Sequence, residues 1–141
     1  MRNFTTDKIK GLSRIDLARR VNQYYSRSIQ ERVIVNTDTG IRIYFNSVGR
    51  IKSAKRYSSK EKAIVIINLL VLLAEAKRVS TKTIRENSAI YKNIPGALMV
   101  FNFLIKCKID GRVKKFTCGV ILMKNGSFHY SLYHNEIRAK K

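Results

Sequence analysis

Apolar residues at every second position mark the last third of the chain. Residues 98–109, 112–123 and 127–137 each place apolar side chains at every second position, the period of a half-buried β-strand. Asp110-Gly111 reads as a two-residue hairpin turn that sets Ile105 opposite Phe116, Phe103 opposite Cys118 and Phe101 opposite Val120. For the second hairpin, a two-residue Asn-Gly turn would oppose Leu122 and His129 and mix the faces. A three-residue loop with Gly126 in the left-handed conformation instead pairs Leu122 with Phe128, Val120 with Tyr130 and Cys118 with Leu132. It keeps one face apolar throughout and is preferred.

Helical periodicity marks two earlier segments. Over residues 7–30, Ile9, Leu12, Leu17, Val21 and Tyr24 or Tyr25 can share a face, ringed by Lys10, Arg14, Arg19, Arg20 and Arg27. Gly11 and Ser13 are natural points for a split, with Ser13 as N-cap and Asp16 in the first turn. Residues 60–77 are apolar almost all round, capped by Ser58 or Ser59, and read as the central buried helix. Between the helices lie a short strand at 32–36, a turn at 37–40 and an alternating strand at 41–45 with Arg42 on one side. Residues 79–96 read as a long connection that holds a short strand or a helical turn.

The fold expected is α+β: an N-terminal basic helix and one buried helix packed on a twisted antiparallel sheet that ends in a three-stranded meander. Residues 1–30 read as a basic helical extension and 31–141 as the domain proper.

Charge gives this scaffold a direction. Lys plus Arg number 29 against 9 acids, a formal net charge of +20, and the basic residues are spread along the whole chain. Such self-repulsion points to a polyanionic partner, nucleic acid first and an anionic membrane or an acidic protein second. The outward face of the meander carries Asn102, Leu104, Lys106 and Lys108, then Lys115, Thr117, Gly119 and Ile121, then His129, Ser131, Tyr133 and Asn135. Lys106, Lys115 and Asn135 form one row across it, and Leu104, Thr117 and Tyr133 the next. Opposed lysines repel unless an anion lies over them, so this face is the expected phosphate surface. The segment 46–59 adds Arg50, Lys52, Ser53, Lys55 and Arg56 around Tyr57, suited to clamping phosphates.

The candidate chemistry is narrow. Two histidines, two cysteines and few acids have no metal-ligand spacing, and no phosphate-cradling glycine loop or hydrolase elbow is present, so neither metal nor cofactor is expected. What remains suits metal-independent RNA cleavage: a base takes the 2′-hydroxyl proton, an acid protonates the leaving oxygen, and cations balance the phosphorane. His129 is the natural acid or base, Lys52 and Arg50 supply positive charge, and Thr117 and Tyr133 orient the phosphate. Arg42, Arg50, Ser53, Lys55, Arg56, Lys106, Lys115 and Ser131 make up the nucleic-acid-binding set. Cys107 and Cys118 read as buried free thiols, and the polar start of the chain has no apolar signal core, so a soluble protein of the cytoplasm is expected, with no membrane partner.

The segment from Asn36 to Ser53 with its Asn-Thr-Asp-Thr-Gly turn, the apolar helix ending at Lys77, the Phe101–Arg112 hairpin and the closing His129-Tyr130 together resemble a known family. These are the phage- and mobile-element-borne, large polyvalent protein-associated nuclease-like domains of the barnase–EndoU–colicin–RelE superfold. The resemblance covers roughly residues 32–135. It implies a helix followed by an antiparallel sheet, metal-free cleavage of RNA (transfer RNA included) on the sheet face, and use as a toxin that is delivered into a target cell and restrained by an acidic neutralising protein. By it, Ser47 to Ser53 and His129 match the candidate active regions. Where the family often has a further histidine, this chain has Ser53-Ala54, and its Gly-Ile-Lys step is one residue longer, Gly49-Arg-Ile-Lys52. Two alternatives stand beside the endoribonuclease: a non-catalytic nucleic-acid-binding accessory protein, and an interaction module whose charge serves an acidic protein.

Overall fold

A computed structural model describes residues 1–45, 59–130 and 138–139. In chain order the elements are β1 (Asn3–Phe4), a 3-10 turn (Asp7–Ile9), α1 (Arg14–Tyr24) prolonged by a π turn (Tyr25–Ile29), β2 (Val33–Val35) and β3 (Arg42–Phe45). Then come α2 (Lys60–Ile67), α3 (Leu69–Glu75), β4 (Lys77–Thr83), α4 (Ala89–Asn93), β5 (Ala97–Ile109), β6 (Arg112–Met123), β7 (Phe128–Tyr130) and β8 (Arg138–Ala139).

The strand order is β1-β5-β6-β7-β3-β2, with β4 also on β5 and β8 also on β6. The architecture is α+β, and the β5–β6–β7 meander is antiparallel. Two parallel pairings, β1 with β5 and β3 with β7, make the sheet mixed rather than wholly antiparallel. The hairpin registers match expectation: Phe101–Val120, Phe103–Cys118 and Ile105–Phe116 across the first turn, Leu122–Phe128 across the second. Asp110 and Gly111 both have positive φ, the backbone of a type I′ turn, which suits the twist of the two strands. Gly126 is left-handed at φ +86, as the three-residue loop requires.

One face of this sheet carries the core. Phe103, Ile105, Phe116, Cys118, Val120, Tyr130, Ile43 and Phe45 are buried against Leu17 and Val21 of α1, Ala63 to Ile66 of α2 and Leu69, Leu72 and Leu73 of α3. The expected basic extension over 1–30 contributes Ile9, Leu17, Val21, Tyr25 and Ile29 to that same cluster. Tyr25 is the tyrosine turned inward, while Tyr24 stays on the surface. Ser13 caps α1 by accepting from the Asp16 amide, and Ser59 caps α2 by accepting from the Lys62 amide. Burial pushes the Cys118 thiol up to about 12 and raises that of Cys107, so both stay protonated.

The helix expected over 60–77 is broken. Asn68 sits at φ −105 and turns its amide back onto the Ile64 carbonyl at 2.9 Å, a side-chain bond that competes with the helical ladder. The helix then stops at Glu75, and Lys77, expected at its end, opens with Arg78 the strand β4, which pairs antiparallel with β5. Asn36, fully buried, explains the stop. Its Nδ2 donates to the carbonyls of Leu73 and Ala76, both at 2.8 Å, while its Oδ1 accepts from the amide and hydroxyl of Thr39. The β2–β3 turn therefore caps the end of α3 and satisfies carbonyls a helix terminus leaves unpaired.

Candidate nucleic-acid interface

The other face of the sheet follows from the same alternation. Lys106 lies directly opposite Lys115, and Leu104 opposite Thr117. Lys77 of β4 opposes Leu104 and so shares this face, with Lys108 two residues beyond Lys106. All four lysines are exposed. Among the described residues no carboxylate pairs with any of them. The ion pairs there are Arg2–Glu75, Arg19–Asp16 and Lys114–Glu61, and Lys114 projects from the opposite side of its strand. Opposed ammonium groups repel, and Glu75, which lines a recess with Lys77 and Lys106, has its carboxylate taken by Arg2.

A second row crosses the whole sheet on this face: Val33, Tyr44, His129, Ile121, Val100 and Lys82 occupy successive register positions. Its middle is covered. Ile121 and Val100 are buried with Ile84 and Ala97 in a small second cluster, against which Tyr91, Ile94 and Met123 pack. Its β2–β3 end is exposed, with Val33 at 46% and Tyr44 at 38%.

His129 stands where the covered and exposed parts of that row meet. Asn125 Oδ1 accepts from the Ser127 amide at 3.0 Å, which identifies that atom as the oxygen, and it also accepts the Ser127 hydroxyl proton. Ser127 Oγ, 2.8 Å from His129 Nε2, has no second proton to give, so Nε2 donates and the ring is the Nε2–H tautomer. Nδ1 is then the lone-pair nitrogen, buried and without a hydrogen-bond partner among the described residues. Burial holds the imidazole pKa below its ordinary value, so the ring is neutral at pH 7. Its face meets Tyr44, with centroids 5.5 Å apart and planes tilted by 31°.

Beside this pair an open recess of about 350 Å³ is lined by Arg42, Tyr44, Asn125, Gly126, Ser127 and Phe128. Arg42 is two residues before Tyr44 and projects from the same face, opposite Val35 of β2. His129 and Arg42 are therefore brought into one neighbourhood. Thr117 is not: it lies four positions along β6 from Ile121, the partner of His129, a separation on the order of 13 Å. Lys115 is two positions farther on. Beside Thr117, where the expected register put Tyr133, stands Arg138 of β8. Tyr133, Ser131, Arg50, Lys52, Ser53, Lys55 and Arg56 lie outside the described residues. The sequence reading passed over Tyr44 and Ser127. The signal for Tyr44 was present: Ile43 and Phe45 face the core, so the aromatic between them must face out, beside Arg42.

Among the described residues no three His, Cys, Asp or Glu side chains gather as a metal cluster, and no helix is long and apolar enough to cross a membrane. Neither a curated protein nor a solved structure matches the chain. A family model, large polyvalent protein-associated domain 3, matches residues 13–130. The match runs from Ser13, the cap of α1, to Tyr130, the last residue of β7, and so takes in the helices, the meander and both basic sites described above. By its sequence this chain belongs to the family of large polyvalent protein-associated domain 3.

Proposed function

We propose that this chain is an RNA-binding domain that holds the phosphate backbone against the lysine-bearing face of its sheet. The observation that carries the reading is the Lys106–Lys115 pair, two exposed cations in direct register with Lys77 and Lys108 around them, while Glu75, which lines a recess with Lys77 and Lys106, is ion-paired with Arg2 and not with a lysine. Phosphates laid over such a row relieve its repulsion and release counterions from the nucleic acid. The test is the salt dependence of RNA affinity for the protein and for a Lys106→Ala/Lys115→Ala variant. For single-stranded RNA each lost phosphate contact should shallow the slope of log K against log salt by about 0.7. An unchanged slope and affinity would remove RNA from this face.

A second reading, metal-independent endoribonuclease of the barnase–EndoU–colicin–RelE type, is favoured by one observation. His129 is neutral at pH 7, as a general base must be, and shares its neighbourhood with Arg42, Tyr44 and Ser127. In that reaction the 2′-oxygen loses its proton and bonds to phosphorus, the bond from phosphorus to the 5′-oxygen breaks, and the leaving oxygen takes up a proton. The products are a 2′,3′-cyclic phosphate and a 5′-hydroxyl. His129 serves as that base only if Ser127 releases Nε2 and the ring changes tautomer to put the lone pair there, since Nδ1 is buried, and for that reason binding is placed first. The nuclease reading brings a toxin role in the cytoplasm of a target cell and an acidic neutralising protein with it. Incubation with total RNA and a transfer RNA pool in EDTA, beside His129→Ala, decides between the two. Discrete cyclic-phosphate ends lost in the variant establish cleavage; bound but intact RNA leaves binding alone.

A further inference from the structure

We propose that Tyr44 and Arg42 form a stacking subsite for one unpaired nucleotide, which makes single-stranded RNA the form this domain takes. The inference rests on the RNA-binding reading and concerns a part of the face well away from the lysine row.

Four neighbouring side chains define the subsite. Tyr44 opposes Val33 and Arg42 opposes Val35, and at 38%, 46% and 51% exposure Tyr44, Val33 and Val35 present a continuous apolar tile with the exposed Arg42 at its margin. Neighbouring same-face residues on a strand are about 7 Å apart, so a base stacked on Tyr44 leaves its phosphate within reach of the Arg42 guanidinium. The ring is held ready by its neighbour. His129, its register partner on β7, meets it at 5.5 Å between centroids, and His129 is itself fixed through Ser127 to Asn125 in the turn. Pre-ordering of this kind lowers the entropic cost of binding.

The recess beside the tile has the size of a small-ligand site, and its floor has room. A Cβ built on Gly126 would meet nothing within 4 Å, and the Ser127 hydroxyl and Asn125 amide offer polar edges. An exposed tyrosine flanked by valines serves an unstacked base, because bases inside a duplex have no free π-face to offer it. The +20 charge of the chain selects a polyanion as the bearer of that base.

The experiment compares a short oligoribonucleotide carrying one 2-aminopurine with the duplex of the same sequence, against the full chain. The expected result is tighter binding of the single strand, with 2-aminopurine fluorescence quenched on binding. Tyr44→Ala should weaken the single strand about 5- to 100-fold and abolish the quench, whereas Tyr44→Phe keeps both. Arg42→Gln should weaken binding, shallow the salt slope by about 0.7 and leave the quench. Equal binding of duplex and single strand, or an undiminished quench in Tyr44→Ala, overturns the subsite. So does a Tyr44→Ala variant that loses affinity for polyaspartate but not for RNA, which would assign the tile to an acidic protein. If the unaltered protein binds neither form of RNA, the RNA reading itself falls, an outcome distinct from all of these.

Discussion

The two faces of β5 and β6 are built from the same two strands and do opposite work. On one, Phe103, Ile105, Phe116, Cys118 and Val120 are at most 1% exposed and lie under three helices. On the other, Lys106, Lys108 and Lys115 stand in solvent with like charge against like. Burial of the first face, at about 25 cal/mol for each Å² of apolar surface, drives folding. The second face subtracts from it through repulsion. The comparison teaches that stability and ligand affinity are separable here residue by residue, since neighbours along one strand belong to different accounts.

Four substitutions or conditions would break or sharpen that contrast. Phe103→Ala removes a ring from the centre of the covered face and should cost about 3–5 kcal/mol in denaturant unfolding. A loss under 1 kcal/mol would mean the face is loosely packed. Asn36→Ala uncaps α3, takes the Asn36 donor from the Ala76 carbonyl and leaves the Leu73 carbonyl only the Ala76 amide, and should cost about 2–3 kcal/mol by the same assay, with RNA affinity of the surviving folded protein unchanged. Lys106→Ala with Lys115→Ala should do the reverse: unfolding free energy within about 0.5 kcal/mol of the parent, or above it, and RNA binding weakened with a shallower salt slope. If that pair destabilised the fold like Phe103→Ala, the lysine face would be structural and the contrast false.

The smallest effect concerns His129, which sits between the two regimes. Its folded pKa is lowered by burial, so the unfolded chain takes up a proton first as pH falls. The associated stability is present above the ordinary imidazole pKa of about 6.5 and is lost as pH drops from there through the folded value. Melting temperature should fall over that window, and His129→Gln should flatten this part of the profile. A parent profile flat below pH 6.5 would show that the ring is open to water.

Legibility varied with how much of an element's environment is local. The β5–β6 hairpin was readable in full because alternation and a two-residue turn together leave a single register that keeps the faces apart. The β6–β7 loop was readable for the same reason. β4 was not: all seven of its residues are exposed, so no apolar period marks it, and it is a strand because the edge of β5 offers it a ladder. The break at Asn68 was visible as a polar residue in an apolar run, but the stop at Glu75 was not, because it depends on Asn36 reaching the end of α3 from 37 and 40 residues earlier in the chain. Of the candidate site, Lys106, Lys115, Thr117 and His129 were placed on the outward face, with Lys106 and Lys115 in one row, and Arg42 only on one side of its strand. That Arg42 and His129 share a neighbourhood from which Thr117 is removed was not foreseen.

Sequence alone determined the α+β class, the core face, the cap at Ser13 and a serine cap at 58 or 59, and the net charge that points to a polyanion, since each depends on residue type and short-range period. Tertiary structure alone decided that β3 runs parallel beside β7 and so lays Tyr44 on His129 and Arg42 beside Ser127, while Thr117 stays a dozen ångströms or so away, on the order of four strand residues. The physical reason is that a strand's own pattern states which side chains face outward, but the neighbour it pairs with, and the register of that pairing, are settled only when every edge and every helix end has found its hydrogen bonds.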